Sequence, residues 1–255
     1  MSENVSTQAD AELAVEVRGL TKSYDEKSVL DGIDLTVRAG EFVTILGESG
    51  GGKSTLLKSI NGLITPDSGS VRVFGQPVAG PTPPEDDLVA LRRSIGYAVQ
   101  GSVLFPHLTV AQNVGFVPSL AGASREQVDE AVQRALRVVG LPEDLQGRMP
   151  SELSGGQAQR VGIARAIAGR PRLLLMDEPF GAVDGITRRG LQAELARIAS
   201  EQQLTIMFVT HDIAEALQLG DRVLILSARG IEQFDTPDAV RCNPATDYVK
   251  QLVNP

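Results

Sequence analysis

The sequence has no tryptophan, only three tyrosines and a single cysteine, Cys242. One cysteine cannot close an internal disulfide, so a reducing compartment, by default the cytoplasm, is expected. Basic residues are in deficit. Twenty-four Lys and Arg against 32 Asp and Glu leave a net charge of −8. That balance argues against nucleic acid as a partner, because nucleic-acid binding needs a basic footprint. It leaves phosphate ligands open, since a local site can oppose the global sign. No apolar run approaches the roughly 20 residues that a membrane-spanning helix needs. The start, MSENVSTQADAE, lacks a basic segment followed by an apolar one, so it is not read as a secretion signal. Residues 1–12 are expected to form a loose tail.

What is present is a chain of 255 residues, 42% apolar, which can bury a sizeable core. Residues 13–18 (LAVEVR), 33–37 (IDLTV) and 70–74 alternate in strand fashion. Continuously apolar runs at 42–46, 173–176, 205–209 and 222–226 predict buried strands. A helix is predicted from Lys53 to about Asn61, and another with Leu191, Leu195 and Ile198 on one face. The stretch AGPTPPEDD (79–87) reads as a loop. From Gln100 to about Gly169 the character is helical; Val128, Ala131, Val132, Ala135, Leu136 and Val139 fall at helical spacing. Strands alternating with helices imply a parallel sheet with crossover helices. The helical stretch interrupts that alternation and reads as an inserted subdomain, about 101–169.

Directly after the run at 42–46 stands GESGGGKST: Gly47, Glu48, Ser49, Gly50, Gly51, Gly52, Lys53, Ser54 and Thr55. The spacing fits a phosphate-binding loop. Glycines let successive N–H groups converge on one centre, and the following helix adds the positive end of its dipole. Lys53 would supply a charge to the β- and γ-phosphates, and the Ser54 hydroxyl suits a magnesium ion on the same phosphates. By itself the loop says only nucleotide; kinases, GTPases and transport ATPases all use it.

Two further constellations narrow the class. Leu-Leu-Leu-Met-Asp177-Glu178 is an apolar strand ending in two acids at the carboxyl edge of a sheet, where open α/β folds bind ligands. Asp177 is placed to hold magnesium through water, and Glu178 to polarise an attacking water. Leu153-Ser154-Gly155-Gly156-Gln157 precedes a helical run, with Ser154 as its cap. This is a second candidate anion site. One nucleotide does not need two such sites from one chain, which points to a partner copy.

In order and spacing, Gly47–Thr55, Gln100, Leu153–Gln157, Leu173–Glu178 and His211 resemble the ATP-binding cassette (ABC) ATPases, from about Leu13 to Leu252. The resemblance implies an α/β phosphate-loop fold with a RecA-like parallel-sheet core, an N-terminal antiparallel β-subdomain and an inserted helical subdomain, with 13–255 as one ATPase domain. It implies ATP and Mg2+ as ligands and a head-to-tail homodimer. Ser154, Gly155, Gly156 and Gln157 would then contact the γ-phosphate bound by the other copy. Tyr24 matches the aromatic stacked on adenine, and Gln100 a glutamine that touches magnesium. Glu178 matches the general base, His211 a γ-phosphate contact, and Asp184 the loop that couples the two sites. Magnesium would be held by Ser54, Gln100 and Asp177. The chain departs from the pattern at Val183, for a usual leucine, and at Gly185, where close relatives often have proline; both bear on the stiffness of coupling.

MDEPFGAVDGITRRGLQ, THDIAEALQLGDRV and FDTPDAVRCNPATDYVKQLV look like the cassettes of uptake systems for quaternary ammonium solutes such as glycine betaine, choline and proline. MPSELSGG and Gln-Gly-Ser at 100–102 are also similar to lipid-trafficking cassettes, and a soluble cassette of a cytosolic assembly complex is a further reading. The expected assembly is two copies with integral-membrane permease subunits and an extracytoplasmic solute-binding protein, peripheral on the cytoplasmic face of the membrane. Many betaine cassettes carry a C-terminal regulatory domain; here that regulation is expected to be absent or to lie elsewhere.

Overall fold

The computed structural model describes residues 12–25, 27–80, 85–101, 103–228 and 230–253. The expected tail lies outside the described residues except for Glu12, whose carboxylate pairs with Arg172 at 2.7 Å. β1 (Leu13–Tyr24) and β2 (Lys27–Arg38) form a long antiparallel hairpin. Next come β3 (Phe42–Gly47) and α1 (Lys53–Ile60). β4 (Ser68–Val73) and β5 (Gln76–Ala79) then complete a four-stranded antiparallel sheet in the order β2-β1-β4-β5.

α2 (Glu85–Ser94) leads into β6 (Ile95–Ala98). The reading of 79–87 as loop is corrected at both ends, because Ala79 closes β5 and Glu85 opens α2. Proline and acids are what a helix start favours, so a loop-like composition hid one. The helical stretch holds α3 (Val110–Val114), α4 (Phe116–Leu120), α5 (Arg125–Val138) and α6 (Gly155–Ala168). β7 (Leu173–Asp177), α7 (Gly185–Gln202), β8 (Thr205–Val209) and α8 (Ile213–Leu219) follow. The last elements are β9 (Arg222–Ser227), β10 (Gly230–Asp235), α9 (Pro237–Cys242) and α10 (Asp247–Val253).

The second sheet has six strands in the order β10-β9-β3-β8-β7-β6. Only the β9–β10 pairing in it is antiparallel. Its central strands are buried on both faces, which is why they read as unbroken apolar runs rather than alternating ones. On β7, Leu173 and Leu175 join the core shared with the antiparallel sheet and α1, while Leu174 and Met176 join the core beneath α5, α6 and α7. α1 is clamped inside the first core by Leu56, Leu57 and Ile60, all at 0% exposure. Each such side chain contributes about 1.5–3 kcal/mol by leaving water. The helix behind the glycine loop is thus fixed before any ligand arrives.

Register does the rest. Ile45 pairs with Val209, and Val209 with Asp177, so β3, β8 and β7 end level with one another. Ala98 at the end of β6 pairs with Met176 one residue short of that line. The segments that carry Gly47–Lys53, Thr210–His211, Asp177–Glu178 and Gln100 therefore leave the sheet from one carboxyl edge.

Candidate active site

The glycine loop runs from β3 to α1. Gly47 has φ 148°, and a Cβ on it would lie 2.0 Å from the Leu226 carbonyl oxygen of β9. Gly52 has φ 87°, and its Cβ would meet the Val29 carbonyl oxygen at 2.6 Å. Both positions thus exclude side chains for reasons of the chain's own packing, in addition to leaving room for a phosphate. Lys53 is 8% exposed. Its ammonium donates to the carbonyls of Gly47 and Glu48 at 2.8 and 2.7 Å. Burial pulls its pKa below the usual lysine value, against the opposing pull of Glu178, Asp177 and Glu48.

An open cleft of about 390 Å³ lies over this loop. Ser49, Gly50, Gly52, Lys53, Ser54 and Thr55 line it from the loop side. Gln100 and Glu178 line it from the ends of β6 and β7, and Tyr24 from the end of β1. Tyr24 is 44% exposed, with the Lys22 ammonium 5.5 Å above its ring. Lys27 and Val29 of β2 also line the cleft, and sequence reasoning missed them. The only available signal was their nearness to Tyr24 across the hairpin turn.

Glu178 follows β7 with φ 47°, a left-handed conformation that costs a residue with a side chain of order 1–3 kcal/mol. Its N–H donates to the Val209 carbonyl at 3.1 Å, which ties it to the end of β8. One carboxylate oxygen, Oε2, accepts from Gln100 Nε2 at 3.0 Å. His211 Nδ1 stands 3.9 Å from the same oxygen. The structure therefore brings Gln100 and Glu178 together in the cleft, while His211 stands beside Glu178 on its other side and is not among the residues that line the cleft. A buried network holds the histidine segment from behind: Glu215 accepts from Thr210 and Gln192, joining α8 to α7.

Asp177 is 3% exposed and takes a hydrogen bond from Ser54. Its Oδ1 is buried without a partner. Burial pushes its pKa above the ordinary carboxylate value. A buried carboxylate with one vacant oxygen beside a hydroxyl is a donor set for a hard divalent cation, which keeps most of its remaining ligands as water and phosphate oxygens. The residues present thus fit magnesium. Because folding raises this pKa, the group's contribution to stability is present at acid pH and is lost as pH rises through the folded value. Asp177→Asn is therefore expected to raise the melting temperature of the nucleotide-free protein by roughly 2–4 °C, for a relief of about 1 kcal/mol. Scanning calorimetry with and without Mg-ATP checks it, and the variant should lose the metal-dependent part of the ligand-induced gain.

Ser154 caps α6 in a capping box: it accepts from Gln157 N at 3.2 Å, and Gln157 Oε1 accepts from Ser154 N at 2.9 Å. None of Ser154, Gly155, Gly156 or Gln157 lines the cleft over the glycine loop. Gly156 instead packs on the loop after Glu178; a Cβ on it would lie 3.0 Å from the Ala182 carbonyl oxygen. Asp184 caps α7, accepting from Ile186 N and Thr187 N at 3.1 and 3.0 Å. Those bonds, Thr187's foremost, hold its pKa below the usual range. Gly185 occupies the first position of α7, where proline is well tolerated because the N–H has no helical partner.

The ABC transporter family profile matches residues 30–181. The glycine betaine/carnitine/choline transport ATP-binding protein OpuCA of Bacillus subtilis (strain 168) is 44% identical over 227 residues, 89% of this chain and 58% of that protein. The spermidine/putrescine import ATP-binding protein PotA of Pseudomonas aeruginosa (strain UCBPP-PA14) is 41% identical over 239 residues, 94% of this chain and 64% of that one. The chain thus spans less than two thirds of the length of these relatives. Among solved structures, the dimeric ATP-binding cassette MJ0796 bound to ADP and Pi superposes with a TM-score of 0.82 at 33% identity, over 88% of this chain and 98% of that chain. The matched range spans more than half the chain and includes the glycine loop and the paired acids, so the chain belongs to the ABC transporter family as an ATP-binding cassette.

Proposed function

We propose that the chain is the ATP-hydrolysing subunit of a membrane importer for small quaternary ammonium solutes such as glycine betaine or choline. The observation that carries the ATPase part is the convergence at one sheet edge of Lys53, Ser54, Gln100 and Glu178, which line a cleft rimmed by Tyr24, with Asp177 bonded to Ser54 and His211 beside Glu178. Tyr24 stacks on the base, which any π-face permits. The N–H groups of the loop and Lys53 hold the phosphates. Asp177, Ser54 and Gln100 would hold Mg2+, which neutralises charge on the phosphate oxygens when bound. Glu178 orients a water and takes its proton, and His211 donates to the γ-phosphate. Two copies face each other, so that Ser154–Gln157 of one close over the nucleotide of the other. The dimer works with permease subunits and a solute-binding protein, peripheral on the cytoplasmic face of the membrane. No described helix is long and apolar enough to cross a membrane.

The cargo class is supported by the relative named for glycine betaine, carnitine and choline transport, and by the resemblance of the stretches at 176–192, 210–223 and 234–253 to such cassettes. The polyamine relative at 41% identity supports a second reading, a spermidine/putrescine importer. Uptake of labelled solutes by cells with and without the gene separates them. Loss of betaine and choline uptake, with polyamine uptake intact, is the expected result. The converse assigns the polyamine class.

A further inference from the structure

A residue with a side chain does not rest at φ 47° unaided, and Glu178 has a second support besides its bond to Val209. Its carbonyl accepts from Gln159 Nε2 at 3.3 Å. The other end of the same amide, Oε1, accepts from Ala182 N at 2.7 Å. Gln159 is 6% exposed, on the face of α6 that also buries Ile163. It lies about one turn from the signature glycines, and a Cβ on Gly156 would meet the same loop at the Ala182 carbonyl oxygen. One side chain therefore spans the segment from Glu178 to Ala182 and pins it to the helix that begins with Ser154. The match is specific. Glutamate offers no donor to the carbonyl, methionine offers neither bond, and asparagine is one carbon short.

We propose that Gln159 is a positioning residue: it fixes Glu178 in its left-handed conformation and makes the base of one ATP site and the signature that serves the other site a single rigid unit. The proposal rests on the reading of Glu178 as general base and of Ser154–Gln157 as acting across the dimer. A misplaced base costs turnover and leaves nucleotide affinity alone, because the glycine loop is untouched.

The first test needs no variant. In the nucleotide-free protein, hydrogen exchange of the Ala182 amide is expected to be slowed although the residue is exposed, since Gln159 is its acceptor. Exchange at the rate of an unstructured amide overturns the proposal. The second test compares Gln159→Glu and Gln159→Met in steady-state ATP hydrolysis. Both are expected to lower kcat by at least about tenfold with the KM for ATP within about twofold of the parent. Calorimetry of the same preparations separates this from unfolding, and Gln159→Glu should still protect Ala182, whose acceptor it keeps. Parental kcat in either folded variant overturns the proposal. Glu178→Gln is measured alongside. If it is inactive while Gln159→Met is fully active, only the positioning role falls. If Glu178→Gln keeps parental turnover, the base assignment falls, and the Ala182 exchange still decides whether Gln159 holds the loop.

Discussion

Glu178→Gln is expected to cut ATP turnover by about 10³-fold while ATP binding survives, because it removes a proton acceptor and preserves shape. Glutamine can still take the hydrogen bond that Gln100 Nε2 gives to Oε2, so the local packing is retained. The bound nucleotide then has no exit by hydrolysis. Gel filtration should show an ATP-dependent shift from one copy to two that persists, whereas the parent should return to the starting species as ADP accumulates. Parental turnover would remove Glu178 from the mechanism. Retained inactivity with no ATP-dependent dimer would remove the seam between copies.

The second large effect tests that seam directly. Lys53→Ala and Gly156→Asp are each expected to abolish hydrolysis. The first removes the charge that meets the phosphates. The second puts a side chain where even a Cβ would lie 3.0 Å from the Ala182 carbonyl oxygen, and adds a negative charge where an anion is to bind. When the two inactive proteins are mixed, both defects fall on the same site of a mixed dimer. The other site is then built from an intact loop and an intact signature. Activity should return to at most roughly a quarter of the parental rate, as one site in half the dimers. A mixture as dead as its components would mean that each site is completed within one copy. Activity in either variant alone would dismiss the assigned residue.

How far the site could be read from sequence follows from the physics of each part. The ends of β3, β7 and β8 were legible because strands buried on both faces must be apolar throughout and must stop where the chain turns polar. Ser154 and the start of α1 were legible from capping and the glycine loop. β1 and β2 proved longer than their alternating cores at 13–18 and 33–37. Gly19 and Gly32 stand at positive φ, and register shifts between Val17 and Leu20 break the two-residue period there. β10 and the short helices α8 to α10 were not read, because segments of six or seven residues carry too few periods to show one. Gln159 was not singled out in the sequence, where it is a polar residue in a helical run. Its spacing of four from the buried Ile163 was the available sign that it faces inward. That one oxygen of Asp177 is buried without a partner could not be read, since an orphaned oxygen is a property of the packed chain.

The attachment of Lys53 to the carbonyls of Gly47 and Glu48 carries one more consequence. An ammonium has three protons, and two are already committed to the polypeptide. It therefore stands like a tripod with two feet on the protein and one left for the visitor. A guanidinium, flat and wider, could not keep that stance, so arginine at 53 would be no conservative exchange despite carrying the same charge.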